Sequence, residues 1–124
     1  MEFLKEMLEK QYGTEEVKSI IDGYLSKRKT TLRVNTIKSN IEKIKSELKE
    51  KDIEYENVSW SKEALIIKNV DEKVIQEMKI YKNGEIYLQS LSSMLPPIIL
   101  EPKVGTDILD MAAAPGGKTT YIAE

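Results

Sequence analysis

With 124 residues, of which 40% are hydrophobic and 32% charged, the chain has the composition of a folded globular protein and room for one domain, or for a small domain and part of a second. It contains no Cys, which excludes disulfides and cysteine nucleophiles, and no His, the commonest metal ligand. No apolar run approaches the roughly 20 residues that cross a bilayer. We therefore expect a cytoplasmic protein without metal or membrane partners. Because the net charge is -2, binding to nucleic acid would depend on local clusters of Lys and Arg.

Two helices are predicted at the amino terminus. Apolar residues recur at helical spacing through residues 3–12 and stop at Gly13, which suits the left-handed position that often follows a helix. Thr14 is expected to cap a second helix, whose apolar stripe runs through residues 17–25. A basic run at residues 27–29 follows this helix.

The period of the apolar residues then changes to two, which indicates a strand. Leu32 and Val34 are expected to point toward one face, and Arg33 toward the opposite, polar face. Ser39 and Glu42 form a capping box, which predicts the start of a helix.

A hairpin, a short helix and a last strand are predicted next. The hairpin consists of strands at residues 54–60 and 64–68, joined by the polar residues 61–63. Asp71 is expected to cap one short helix, which closes at a turn before a strand at residues 85–88.

The order of these elements predicts an α+β fold. Residues 31–88 run strand, helix, strand, strand, helix, strand, which is the βαββαβ order of the ferredoxin-like fold and of RNA-recognition modules. With the preceding helices, this gives a first domain at residues 1–88. The topology hosts many functions, and the third strand lacks the aromatic signature of an RNA-recognition motif. Trp60 and Tyr87 can stack on bases, although single aromatic residues on strands more often belong to a core.

Basic residues around the first strand form a candidate RNA-binding patch. Its members are Lys27, Arg28, Lys29, Arg33 and Lys38. The alternative is an ordinary solvated surface, which is what most runs of charge are.

The composition changes beyond the last strand of this domain. Residues 90–100 are small and apolar, and Pro96 and Pro97 predict a helix that is kinked or begins afresh there. Residues 107–111 predict a buried strand, and the small-residue string at 112–118 leads from it into a helix.

The string at 112–118 has the composition of a ligand-binding loop. A strand that ends in Asp, followed by tiny residues and paired glycines at a helix start, suits a nucleotide-type ligand at the carboxyl edge of a parallel sheet. Gly116 and Gly117 can bring backbone N–H groups against an anion, and the helix beginning near Lys118 adds partial positive charge. Pro115 stiffens the loop. For S-adenosylmethionine, the anion is the carboxylate of the methionine portion.

Two other interpretations of this loop are open. Gly117-Lys118-Thr119 matches the end of the phosphate-binding pattern G-x-x-x-x-G-K-[ST], but Ala112 stands where the first Gly belongs and Pro115 removes one N–H group. An ordinary strand-to-helix connection is the other possibility, and it gives no reason for this particular string of residues.

The loop resembles that of a known family, the NOL1/NOP2/Sun RNA cytosine-5 methyltransferases. Their loop reads D-x-C-A-A-P-G-G-K-T, and residues 110–119 read D-M-A-A-A-P-G-G-K-T, so that only Ala112 departs, in place of a Cys that is not the nucleophile. Further matches lie at residues 33–36 and 84–94.

The resemblance implies that residues 89–124 begin a Rossmann-like methyltransferase domain with its first strand, loop and helix, that the cofactor is S-adenosylmethionine, and that the substrate is tRNA or rRNA. The donor contacts that it implies are Ala112, Ala113, Ala114, Pro115, Gly116, Gly117 and Lys118.

In the family, a thiolate adds to C6 of cytosine so that C5 can accept the methyl group, and a second Cys assists release of the enzyme. Neither Cys occurs here, and the acidic residue expected to hold the ribose lies beyond Glu124. We therefore expect a fragment or truncated product that is inactive alone. The alternative is a stand-alone, non-catalytic RNA-binding or docking module.

Overall fold

The computed structural model describes residues 2–124, and it begins with two packed helices. They are α1 (Glu2–Tyr12) and α2 (Thr14–Leu25). Gly13 separates them with a φ of 84°, as the sequence predicts. Thr14 is not the cap: it is the first helical residue, and Gly13 occupies the cap position without a side-chain hydrogen bond.

A four-stranded antiparallel sheet follows, packed with three helices. In chain order the elements are β1 (Thr30–Val34), α3 (Ile41–Glu50), β2 (Tyr55–Val58), β3 (Ser61–Ile67), α4 (Glu72–Glu77), α5 (Lys79–Lys82) and β4 (Ile86–Leu88). The strand order in the sheet is β2-β3-β1-β4. The predicted ferredoxin-like fold is therefore confirmed, except that the second helix is divided in two at Met78, whose ψ of 148° is extended.

Alternate residues of β1 build the main core. Leu32 and Val34 are both fully buried, and Leu32 lies opposite Leu65 of β3 and Leu88 of β4. The α3 residues at helical spacing, Ile44 and Leu48, cover the same face. This face of the sheet has the apolar pattern that the sequence predicts.

Two local predictions in this domain are wrong. The hairpin turn lies at residues 59–60, not at 61–63, because Ser61 is buried and pairs with Val58 across an irregularity in the register. Asn40, not Ser39, caps α3: its side-chain oxygen accepts a hydrogen bond of 2.9 Å from the Lys43 N–H group.

The opposite face of the sheet is covered by the chain itself. Two further helices, α6 (Leu91–Leu100) and α7 (Gly117–Ala123), lie against it. Met94 of α6 is fully buried against Val58 and Ala64. Since RNA-recognition modules bind bases on an open sheet face, a covered face leaves no such platform here.

The predicted strand at residues 107–111 is absent. These residues form neither helix nor strand, and Leu109 and Met111 are 84% and 92% exposed. A strand is stable only beside a neighbouring strand, and none of residues 2–124 pairs with this segment. None of the helices described is long and apolar enough to span a membrane.

Candidate functional site

A carboxylate closes the loop at residues 110–119. Asp110 Oδ1 accepts a 2.9 Å hydrogen bond from the Ala112 N–H group, and Asp110 Oδ2 accepts one of 2.7 Å from the Thr119 hydroxyl. The Thr119 bond, the Ala112 bond and the charge of Lys118 lower the pKa of the Asp110 carboxyl below its ordinary value. Asp110 therefore remains ionised and joins the entry of the loop to the first turn of α7.

The loop backbone turns sharply before α7. Gly116 has a φ of 107°, a conformation that side chains disfavour, and the helix begins at Gly117. At Gly117 the constraint is different: a Cβ atom there would lie 3.2 Å from the Gln89 Nε2 atom, so a larger residue would have to displace the Gln89 side chain by a few tenths of an ångström. Gln89, the residue after β4, thus packs directly on the start of the helix.

A cavity of about 250 Å³ lies between this loop and the connection from β4 to α6. Tyr87, Gln89 and Ser93 line one side of it. Six of the seven predicted donor contacts line the other side: Ala112, Ala113, Ala114, Pro115, Gly117 and Lys118. Apart from Lys118, the side chains on the loop side are small, so main-chain groups of the loop can approach a bound molecule closely.

Arg33 is fully buried beside this loop. Its Nε donates to Gln89 Oε1 at 3.0 Å, its Nη2 donates to Thr120 Oγ1 at 2.8 Å and to the Gly117 carbonyl at 3.3 Å, and its Nη1 forms an ion pair with Glu124. The prediction that Arg33 lies on an exposed polar face is wrong, because α7 covers that face. Arg33 is not accessible to RNA in this structure.

Two aromatic rings complete the surroundings of Arg33. The guanidinium carbon lies 5.1 Å from the ring centre of Tyr87 and 4.4 Å from that of Tyr121. Tyr87 is half-buried, with the Arg33 guanidinium over its ring. Trp60, in the turn between β2 and β3, is 43% exposed.

The other predicted RNA-binding residues do not form one patch. Lys27, Arg28 and Lys29 are exposed before β1 and line a groove of about 400 Å³, where Lys27 pairs with Asp71 at 2.9 Å. Lys38 lies beyond the opposite end of β1, and its Nζ donates to the Asn83 carbonyl at 3.1 Å.

Sequence reasoning missed the residues that hold the loop from outside it. Gln89 and Thr120 both bind Arg33, and neither stood out because an isolated Gln or Thr is common at the end of a strand or in a helix. The signal in the sequence that could have pointed to them is the alternation of polar and apolar residues in β1, which places Arg33 on the face of the sheet opposite to Leu32 and Val34. In the part of the chain that the structure describes, no group of three or more His, Cys, Asp or Glu residues could hold a metal ion.

The fold and the loop together define an α+β ferredoxin-like protein with a glycine-rich loop packed on one face of its sheet. A family model for the ferredoxin-like domain of RsmF/B-like methyltransferases matches residues 2–71, and a model for the 16S rRNA methyltransferase RsmB/F matches residues 97–124. The chain belongs to the NOL1/NOP2/Sun family of RNA cytosine-5 methyltransferases and corresponds to its N-terminal portion.

Named relatives agree with this assignment. The chain is 46% identical over 95 residues to the tRNA (cytosine(49)-C(5))-methyltransferase of Pyrococcus abyssi, covering 76% of this chain and 30% of the relative. It is 35% identical over 114 residues to the probable ribosomal RNA small subunit methyltransferase B of Bacillus subtilis, covering 91% and 25%. The chain thus spans less than a third of the length of these curated relatives.

Solved structures share the fold. A methyltransferase homologue from Pyrococcus horikoshii superimposes with a TM-score of 0.74 at 34% identity, over 90% of this chain and 36% of that one. NSun6 from Pyrococcus horikoshii, solved with SFG, gives a TM-score of 0.78 at 22% identity, over 97% and 54%.

Proposed function

We propose that this chain is the N-terminal part of an S-adenosylmethionine-dependent RNA cytosine-C5 methyltransferase that acts on tRNA or rRNA. The named activities of the relatives from Pyrococcus abyssi and Bacillus subtilis support the reaction and the two classes of substrate. The structure of NSun6 with SFG, an analogue of S-adenosylmethionine, supports the choice of methyl donor.

The observation that carries the proposal is the geometry of the loop. Asp110 holds the loop closed, the alanines keep side chains small, and the loop borders a cavity. We propose that main-chain N–H groups here bind the donor carboxylate. The proposed donor contacts are Ala112, Ala113, Ala114, Pro115, Gly116, Gly117 and Lys118.

The proposal also divides the chain into two parts. Residues 1–88 form the ferredoxin-like domain with its helical extension, and residues 89–124 begin a Rossmann-like domain. Under this division, residues 107–111 become a strand when the other strands of that sheet lie beside them. The exposed apolar side chains of Leu109 and Met111 would then be buried.

In this proposal the chain binds and orients the methyl donor, and it does not supply the nucleophile. The reaction of the family needs a thiolate that adds to cytosine, and the 124 residues contain no Cys. The thiolate therefore has to come from residues outside this sequence. We expect the 124-residue chain alone to transfer no methyl group.

Titration calorimetry tests the donor loop. The complete protein encoded by the reading frame is compared with Gly117→Asp and with the control Gly23→Asp, which adds the same side chain in open space on α2. We expect Gly117→Asp to weaken donor binding at least roughly 10-fold, because the new side chain displaces Gln89 and its charge repels the donor carboxylate. The control should bind normally.

The outcomes separate the interpretations of the loop. Equal donor affinity in all three proteins would show that the loop assignment is wrong. Binding of ATP in preference to S-adenosylmethionine would favour the phosphate-binding alternative.

The coding frame tests the second candidate function, a stand-alone RNA-binding or docking module. An Asp about 20 residues past Glu124, followed by two Pro-Cys motifs, would support the enzyme. A stop codon directly after Glu124 would support the module.

A further inference from the structure

One buried side chain of the ferredoxin-like domain reaches the helix that follows the proposed donor loop. Arg33 comes from β1, near the centre of the sheet, and its Nη2 reaches the carbonyl of Gly117, the first residue of α7. The same nitrogen binds the Thr120 hydroxyl one turn later. Arg33 therefore contacts the helix at its first turn, immediately after the loop.

The chemistry of this contact is directional. A guanidinium group presents its N–H donors in a fixed plane, and here the two aromatic rings of Tyr87 and Tyr121 lie against it. An apolar side chain would fill the same space without fixing the rotation of α7 about its axis. Burying an ion pair such as Arg33–Glu124 is costly, and replacing both of its partners by apolar residues is often as good for stability. A buried Arg at this position thus indicates a requirement for orientation.

Gln89 connects the same contact to the cavity wall. Its Oε1 accepts from Arg33 Nε at 3.0 Å, and its Nε2 donates to the Ser93 carbonyl at 3.0 Å. Gln89 also lies against Gly117 and lines the cavity. Arg33 therefore contacts two residues that line the cavity, Gly117 and Gln89.

We propose that Arg33 is a positioning residue for the methyl donor: it acts through Gly117 and Gln89 to keep the loop and the facing wall in the geometry that binds S-adenosylmethionine. This inference rests on the proposed function, since it concerns the same donor site. It assigns the ferredoxin-like domain a part in donor binding through the position of these two residues, in addition to any contact with RNA.

The test compares donor affinity with stability in the complete protein. Arg33→Met removes the planar set of guanidinium N–H donors together with the charge. Arg33→Lys keeps the charge but loses the planar set of donors. The matched control is Lys43→Met, which breaks the 2.5 Å ion pair with Glu85 on the other face of the sheet. Titration calorimetry gives the donor Kd, and thermal melting gives Tm.

We expect Arg33→Met to raise the donor Kd roughly 10-fold to 100-fold, Arg33→Lys to recover part of that loss, and Lys43→Met to leave the Kd unchanged while lowering Tm. A purely structural role would lower Tm without changing the Kd of the folded protein. Wild-type affinity in folded Arg33→Met would overturn the positioning role and leave the donor loop intact.

A milder variant covers the case in which neither Arg33 variant folds. Thr120→Val removes one acceptor of Arg33 Nη2 and keeps the shape of the side chain. A weaker donor affinity in Thr120→Val would support the inference, and an unchanged affinity would overturn it. If the unmodified protein binds no S-adenosylmethionine, both the proposed function and the role of Arg33 fail.

Discussion

Asp110 is the residue whose carboxyl group joins the two ends of the loop. Its lowered pKa gives a definite dependence on pH: the carboxylate contributes to stability at pH values above its ordinary pKa, and the contribution is lost as the pH falls through the lowered pKa of the folded state. We expect Thr119→Val to move the pKa of Asp110 back up toward its ordinary value, because the Thr119 hydroxyl bond is the largest cause of the shift.

Carbon-13 NMR of the side-chain carboxyl, followed through an acid titration, measures this pKa directly. The matched control is Thr106→Val, since the Thr106 hydroxyl bonds to the Lys103 carbonyl and not to Asp110. An unchanged Asp110 titration in Thr119→Val would mean that the hydroxyl bond does not hold the loop closed.

The burial of Arg33 shows what the sequence alone could not predict. Alternation placed Arg33 opposite Leu32 and Val34, which is correct, but it could not show whether that second face meets water or protein. The answer depends on α7, whose residues are distant in the sequence and give no local sign of packing on β1. The loop residues could be proposed as a ligand site from the sequence, because small side chains and paired glycines before a helix suit the binding of an anion.

At the scale of elements, α6 does not begin afresh at the prolines, which is one of the two alternatives that the sequence predicts. Pro96 and Pro97 lie inside a continuous helix, although each leaves a carbonyl four residues earlier without its usual N–H partner. For Pro97 that carbonyl belongs to Ser93, and the side chain of Gln89 donates to it at 3.0 Å. A bond from outside the helix thus replaces the one that proline removes, which no local pattern could reveal.

We expect Gln89→Leu to lower the free energy of unfolding by about 2 kcal/mol, because two hydrogen bonds are lost and the Ser93 carbonyl is left unpaired. Urea denaturation of the 124-residue chain measures the change. Gln76→Leu, the same substitution at an exposed position on α4, should change the free energy by less than about 0.5 kcal/mol. Equal effects of the two variants would contradict the role of Gln89.

At the scale of the whole molecule, both faces of the sheet are covered, one by α3, α4 and α5 and the other by α6 and α7. Any contact with RNA therefore has to use surfaces other than the two faces of the sheet. The connection before β1 carries Lys27, Arg28 and Lys29, while Lys38 is at the other end of the strand. The smaller group at residues 27–29 is the part of the predicted patch that remains a candidate for RNA binding.

This group can be tested by reversing charge at Lys27 and Lys29 together and measuring RNA affinity of the complete protein at two salt concentrations. Each phosphate that is no longer neutralised should reduce the slope of log K against log salt by about 0.7 on single-stranded RNA. The control reverses Lys49 and Lys51 at the exposed end of α3, so the change in net charge is the same and only its position differs. We expect reversal of Lys27 and Lys29 to weaken binding and lower the slope more than the control.

Because Lys27 already pairs with Asp71, Lys29 should account for more of the loss of affinity than Lys27 when each is changed alone. Equal affinity and slope in the two double variants would show that residues 27–29 are an ordinary solvated surface.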